Sequence, residues 1–421
     1  MSFKHAWSNR SLKGLLMAQF TVAFNDNYVK QVVLFFAARK LFPGEDRQGI
    51  AIMLFSVPFV LFSGYAGQIS EKFSKQTIIL VMKSFEILLA FGAAIAFYFA
   101  SWPMLLMVLF VLSFQSAIMS PARYGILPEA IRPGDMVSAN SMMAILTFSG
   151  ILLGTAAAGP AFDFLLDQPF TMGGLCVVLA LIGTLGATMI RRVPPQSPER
   201  TIAANPFSGL LEAYRETRGD RRIIVVVLTN SLLWMDGSGL VMAMTALGGE
   251  GYLAIPAWQI SILSAVLALS IVAGCLSVPR LTRRFKPRVL ISIGVIGAFI
   301  AQIIFVLGCT YLPPAIGYWV GLGSVMLIGS VAALAMVPIQ TSMQVLPPPG
   351  MRGQVIALNN MLSFIAMFVA GLLYQVAAGM GLNPGSTMIF CGVLLVVCLW
   401  RWQPTLDAVE LPRDDEASAE A

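Results

Sequence analysis

The chain is 421 residues long, 57% hydrophobic and only 11% charged, with a mean hydropathy of +0.80 and a formal net charge of +6. Soluble domains carry about 25% charged residues, so the composition excludes a soluble globular protein and places the chain in a bilayer. A span needs roughly 20 apolar residues, and twelve such stretches run near 14–38, 48–69, 76–100, 103–120, 137–163, 170–190, 223–247, 257–278, 288–311, 314–344, 353–379 and 383–402.

The first stretch carries Asn25-Asp26-Asn27 and, one turn on, Lys30. An ionisable group at the centre of a span costs roughly 2.5–3.5 kcal/mol on insertion scales, so a polar pathway is expected there. A second reading is that Asp26 and Lys30, four residues apart, neutralise each other. The second stretch ends in Gly67-Gln68-Ile69-Ser70-Glu71-Lys72-Phe73-Ser74-Lys75, and the third holds Lys83 and Glu86 at i,i+3, read as an internal ion pair. Arg123 follows at the cytoplasmic end of the fourth, where it either meets substrate or snorkels and latches the loop.

Between 191 and 222 lies the longest polar connection, with Pro194, Pro195, Pro198 and Pro206 and a short interfacial helix expected over Phe207 to Arg218. It divides the chain into a six-helix bundle at 1–190, a linker at 191–222, a second six-helix bundle at 223–403, and a tail at 404–421. That tail is acidic and expected to be disordered. The second half carries Asp236 in the seventh stretch and Gln340 and Gln344 in the tenth. Asn140, Asn359 and Asn360 read as interhelical hydrogen-bond partners.

Three weak repeats fall in register. Leu127-Pro128 precedes Ala139-Asn140 as Leu346-Pro347 precedes Leu358-Asn359; the run from Gly67 to Lys75 has a basic counterpart from Gly274 to Lys286; and Phe24-Asn25-Asp26 matches Trp234-Met235-Asp236. Asp26 and Asp236 are therefore expected at pseudo-equivalent positions.

Lys and Arg concentrate on one side of the spans, with only Arg39, Lys40 and Arg47 on the other, which sets both termini in the cytoplasm. The positive balance is this signature, and no nucleic-acid partner is expected. Cys176, Cys275, Cys309, Cys391 and Cys398 all fall in spans with no C-x-x-C pair, and His5 is the single histidine, so neither disulfides nor a histidine metal site is supported. No phosphate-cradling G-x-x-x-x-G-K-[ST] run occurs, and no cofactor is expected.

The run from Gly67 to Lys75, with acid Glu71 and bases Lys72 and Lys75, resembles the loop signature of the major facilitator superfamily, departing from it at Ser74 and Gln76. F-N-D-N-Y-V-K (Phe24 to Lys30), S-P-A-R-Y-G-I-L-P-E (Ser120 to Glu129) and Ala139-Asn140 together resemble the bacterial lysophospholipid transporter family. Val337 to Gln340 and Arg352 to Asn360 fit it more loosely. Some family members carry a basic residue in the seventh span, where this chain has Asp236.

The resemblance implies an all-α integral membrane protein of twelve helices in two six-helix bundles. It implies a flippase that moves lysophosphatidylethanolamine or lysophosphatidylglycerol from the outer to the inner leaflet of the bacterial inner membrane, supplying a cytoplasmic acyltransferase. The chain is read as a monomer in contact with membrane lipids. Candidate substrate-binding residues are Asn25, Asp26, Asn27, Lys30, Arg123, Asp236, Gln340 and Gln344, the carboxylates for an ammonium and Lys30 or Arg123 for a phosphate. Glu71, Lys72, Lys75, Lys83 and Glu86 are assigned to gating and structure. The alternative is a proton-coupled carrier of a soluble metabolite or drug that titrates Asp26 or Asp236. A membrane scaffold has no use for charges at the bilayer centre, and nothing in the sequence points to an enzyme.

Overall fold

The computed structural model describes residues 9–36, 41, 48–199, 201–203, 205, 208–248, 252–255 and 257–411. His5, Arg39, Lys40, Arg47, Pro206, Phe207 and the end of the acidic tail lie outside these residues. Helices make up the described structure, in the order α1 (Arg10–Phe35), α2 (Gln48–Lys72), α3 (Lys75–Phe99), α4 (Trp102–Gly125), the single turn α5 (Leu127–Ala130), α6 (Met136–Leu165), α7 (Pro169–Thr188), α8 (Ser208–Thr217), α9 (Arg221–Leu247), α10 (Ala257–Leu281), α11 (Pro287–Tyr311), α12 (Pro314–Val345), α13 (Arg352–Gly379) and α14 (Ser386–Asp407). Ten of them are long and apolar enough to cross a membrane. The middle of α1 is made polar by Asn25, Asp26, Asn27 and Lys30, which keeps that helix outside the set.

Local chemistry sets several boundaries. The Asn9 side chain caps α1 by accepting from Leu12 N–H at 3.1 Å, and Asp220 caps α9 by accepting from Arg222 N–H at 2.9 Å. Asn383 accepts from Gly385 N–H at 2.8 Å and donates to Thr310 Oγ1 at 3.0 Å, so α14 begins at Ser386, later than the apolar run suggests. Its far end corrects the sequence reading as well. The helix passes through Pro404 to Asp407, because Leu406 and Val409 are buried and Asp407 reaches Arg288 at 3.2 Å and Lys286 at 3.7 Å. The tail therefore starts beyond Val409, not at 404.

Two compact units emerge. One comprises Met1–Ala139, Leu146–Glu216 and Pro347–Leu358, the other Asn140–Ile145, Thr217–Leu346 and Asn359–Ala421. In the first, Phe36 stacks on Phe97 at 5.8 Å and meets the edge of Phe162 at 5.4 Å, in a core with Tyr28, Val32, Leu105 and Leu109. Gly150 and Gly154 of α6 lie against the backbone of Phe20 and Phe24, where an added Cβ would collide with carbonyl oxygens. This close approach of small residues four apart holds the part of α1 that carries the polar residues. The second unit has its own core around Leu240, Met244, Phe305, Val325 and Met388. Outward-facing side chains such as Leu88, Phe91, Met107, Trp319 and Trp400 are more than half exposed, as a lipid-facing surface requires.

Candidate functional site

In the first unit α1 and α4 are joined by two polar rungs. Ser116 Oγ donates to Asp26 Oδ2 at 2.6 Å, and Arg123 Nη1 donates to Gln19 Oε1 at 2.8 Å. The partners are seven residues apart on each helix and run in opposite order, so the helices are antiparallel and the rungs about 10 Å apart along them. Residues 19, 26 and 30 return to nearly one side of α1, at 3.6 residues per turn. Asp26 Oδ1 and Arg123 Nε are buried without a hydrogen-bond partner among the described residues. Lys30 Nζ donates to Asn27 Oδ1 at 2.9 Å and lies 5.2 Å from the centre of the Phe55 ring. Asp26 and Lys30 thus each have another hydrogen-bond partner, Ser116 and Asn27.

The opposite side of α1 meets a closed ionic network. Lys83 Nζ and Glu86 Oε2 are 2.6 Å apart, their side chains 0% and 1% exposed, so the pair is internal. Lys83 also donates to Thr21 Oγ1 at 2.9 Å, and Asn25 Nδ2 donates to Glu86 Oε1 at 2.8 Å and to the Cys176 carbonyl at 3.2 Å. A buried pair survives only when its remaining atoms are also satisfied, and Thr21, Asn25 and Gln115 supply those bonds. A cavity of about 10 Å³, room for a single water, is lined by Asn25, Glu86, Cys176 and apolar neighbours. Asn25, grouped by sequence with Asp26, belongs to the ion pair.

A second cluster sits where α2 ends. Glu71 Oε1 accepts the Gly353 N–H in the first turn of α13, where the helix dipole favours a carboxylate. A Cβ at Gly353 would stand 2.7 Å from that oxygen and 2.8 Å from Ser70 Oγ, so only glycine permits the approach. Lys75 Nζ is 2.7 Å from Glu129 Oε1 and 3.8 Å from Glu71 Oε2. Burial pushes the Glu129 carboxyl above its usual range, against the pull of Lys75. Lys72 is half-buried, 5.9 Å from the Phe73 ring centre. The linker crosses this cluster: Ser197 N–H donates to the Glu71 carbonyl at 3.0 Å, and Ala203 N–H to Gln68 Oε1 at 2.8 Å.

In the second unit Gln302 Nε2 donates to Asp236 Oδ2 at 2.6 Å, while Asp236 Oδ1 and Gln302 Oε1 are buried without partners among the described residues. Asp236 is 7% exposed and turned to α11, whereas Asp26 is half-buried and turned to α4. Gln344 is fully buried and exchanges two amide hydrogen bonds with Asn140, at 2.8 and 3.0 Å. Gln340, one turn earlier, is half-buried. Asn230 Nδ2 donates to Asn359 Oδ1 at 2.9 Å. Asn140 and Asn359 thus make the interhelical bonds that their places in apolar spans suggested.

Sequence reasoning passed over Gln19, Ser116, Glu129 and Gln302. The signal was the one that exposed Asp26, since each but Glu129 is a polar residue in an apolar run, and Glu129 closes the S-P-A-R-Y-G-I-L-P-E motif. No grouping of His, Cys, Asp or Glu suited to a metal occurs among the described residues.

The family model for the Major Facilitator Superfamily matches residues 15–371. Among curated relatives, the lysophospholipid transporter LplT of Enterobacter sp. (strain 638) is 27% identical over 413 residues, covering 94% of this chain and 96% of the relative. LplT of Klebsiella pneumoniae (strain 342) is 26% identical over 410 residues with the same coverage. Among solved structures, a bacterial homologue of the iron transporter ferroportin in an outward-facing state is similar with a TM-score of 0.71 at 17% identity, covering 93% of this chain and 99% of that one. That likeness speaks to the fold alone.

Proposed function

Since the chain belongs to the Major Facilitator Superfamily, and is a multi-pass membrane transporter by fold and kinship, we propose that its cargo is a lysophospholipid. Lysophosphatidylethanolamine or lysophosphatidylglycerol is carried from the outer to the inner leaflet of a bacterial inner membrane by alternating access. Both termini lie in the cytoplasm in this reading. The observation that carries it is the likeness, along 94% of the chain, to proteins named lysophospholipid transporters.

The chemistry of the first unit supports it. A lysolipid has one acyl chain, a phosphate and often an ammonium. Asp26 offers a carboxylate oxygen that lacks a donor, and Arg123 a guanidinium edge that lacks an acceptor, on one antiparallel helix pair. Lys30 stands one turn from Asp26, and Asn27 is its neighbour in the chain. In the second unit Asp236, Gln340 and Gln344 are the groups we assign to head-group passage. Glu71, Lys72 and Lys75, with Glu129, form a latch that must open during the cycle, while Lys83, Glu86 and Asn25 hold α1 and α3 in place. A cytoplasmic acyltransferase is the natural consumer of the delivered lysolipid.

The test is flux of labelled lysophosphatidylethanolamine into proteoliposomes, with and without an imposed proton gradient. Saturable uptake of the one-chain lipid and little of its two-chain parent is expected. No lysolipid flux, beside gradient-driven uptake of a water-soluble compound, would replace this reading with a proton-coupled metabolite carrier.

A further inference from the structure

Arg123 raises a question that the head-group assignment leaves open. Its guanidinium is a cation with five N–H donors and no acceptor, yet the residue is 8% exposed and its Nε–H has no hydrogen-bond partner among the described residues. Among the described residues it donates to a neutral acceptor, Gln19 Oε1, at 2.8 Å. The Asp26 carboxylate acts on it electrostatically without bonding to it, and a buried cation with no bonded counter-charge is costly unless an anion joins it. The neutrality of residue 19 is what keeps that charge available, because a carboxylate there would consume it. Gln19 is itself 2% exposed and cannot turn freely, since its Nε2 donates to Thr147 Oγ1 of α6 at 2.5 Å. That bond aims the carbonyl end of the amide at the arginine. The chain Thr147–Gln19–Arg123 therefore holds the guanidinium by Nη1 and leaves the buried Nε–H without an acceptor among the described residues.

We propose that Gln19 is a positioning residue that presents the free edge of Arg123 to the phosphodiester of the cargo. The proposal rests on the lysophospholipid reading and deepens it. Gln19 does not touch the lipid; it fixes the direction of the fork and preserves its charge, and two N–H groups held in one plane then favour a phosphate oxygen pair over a single carbonyl.

The variants are Gln19→Glu, which supplies a competing carboxylate, and Gln19→Met, which keeps the length and removes the acceptor. The purified full-length protein is titrated with lysophosphatidylethanolamine and with a monoacylglycerol of the same chain, which has no phosphate. Gln19→Glu is expected to weaken lysophosphatidylethanolamine about tenfold or more, to leave the monoacylglycerol unchanged, and to melt at or above the wild-type temperature because an Arg–Glu pair forms. Gln19→Met is expected to raise KM for lysolipid flux several-fold with little change in kcat, and it carries the test alone if Gln19→Glu does not fold. Unchanged lysophosphatidylethanolamine affinity in the folded variant overturns the proposal, and so does equal loss of both amphiphiles. Competition by inorganic phosphate as strong as that by the lysolipid would overturn the lipid as the source of the anion. A wild-type protein that does not bind lysophosphatidylethanolamine would sink the carrier reading itself, a different result from a wild type that binds and a Gln19→Glu variant that binds equally well.

Discussion

Asp26 and Asp236 show how far a carboxylate's meaning depends on its partner. Both stand in apolar helices, and each accepts one bond from a neutral donor, Ser116 or Gln302, leaving the other oxygen without a partner among the described residues. A buried polar atom without a partner is uncommon and calls for a reason. Replacing either with Asn keeps the volume and removes the charge, so Asp26→Asn and Asp236→Asn are expected to insert and fold while lysolipid flux falls at least about tenfold. Wild-type flux in both would remove them from the site. Lys83 and Glu86 make the contrast, being joined at 2.6 Å and fully buried. Breaking such a pair from one side costs about 3–5 kcal/mol, whereas replacing both partners costs far less. Melting temperatures should therefore fall sharply in Lys83→Met and in Glu86→Gln and recover in part in the double variant; additive losses would show that the two side chains do not act as a pair.

At the scale of elements, the single turn α5 does more than connect. Its Glu129 binds Lys75 at 2.7 Å, and Lys75 also stands 3.8 Å from Glu71, whose carboxylate holds the start of α13. The loop signature and the S-P-A-R-Y-G-I-L-P-E motif, far apart in sequence, thus close on each other. Burial raises the Glu129 carboxyl above its ordinary 4.5. A carboxyl whose folded value lies above its unfolded one contributes stability that is fully present below the unfolded value and is lost as pH rises through the folded one. Melting temperature in the wild type should accordingly carry a component that declines as pH is raised from 4.5, the ordinary value. Glu129→Gln should flatten it; an unchanged pH profile would show that Glu129 does not titrate in that range.

At the scale of the whole molecule, the reading requires one orientation. Glu199 is exposed in the linker, and a cysteine placed there on a background without the five native cysteines should react with a membrane-impermeant reagent only after the cells are opened. Labelling in intact cells would reverse the topology.

The sequence by itself determined the class of protein, the helices and most of their ends. Those features follow from a local quantity, the length of an apolar run against the thickness of a bilayer. It also marked Asp26, Lys30, Asp236 and the Lys83–Glu86 pair, because a charge in an apolar run stands out without any knowledge of its surroundings. Only the tertiary structure decided which side of α1 each polar residue serves. Asn25 turns to Glu86 and Asp26 to Ser116, although the two are adjacent in the chain, since neighbours on a helix point about 100° apart. It alone paired Gln19 with Arg123 and Asp236 with Gln302, 104 and 66 residues apart. It also carried α14 past Pro404, where burial of Leu406 outweighs the break that a proline and an acidic tail suggest. Such partners are chosen by how helices pack against one another, and that information resides in no single stretch of the chain.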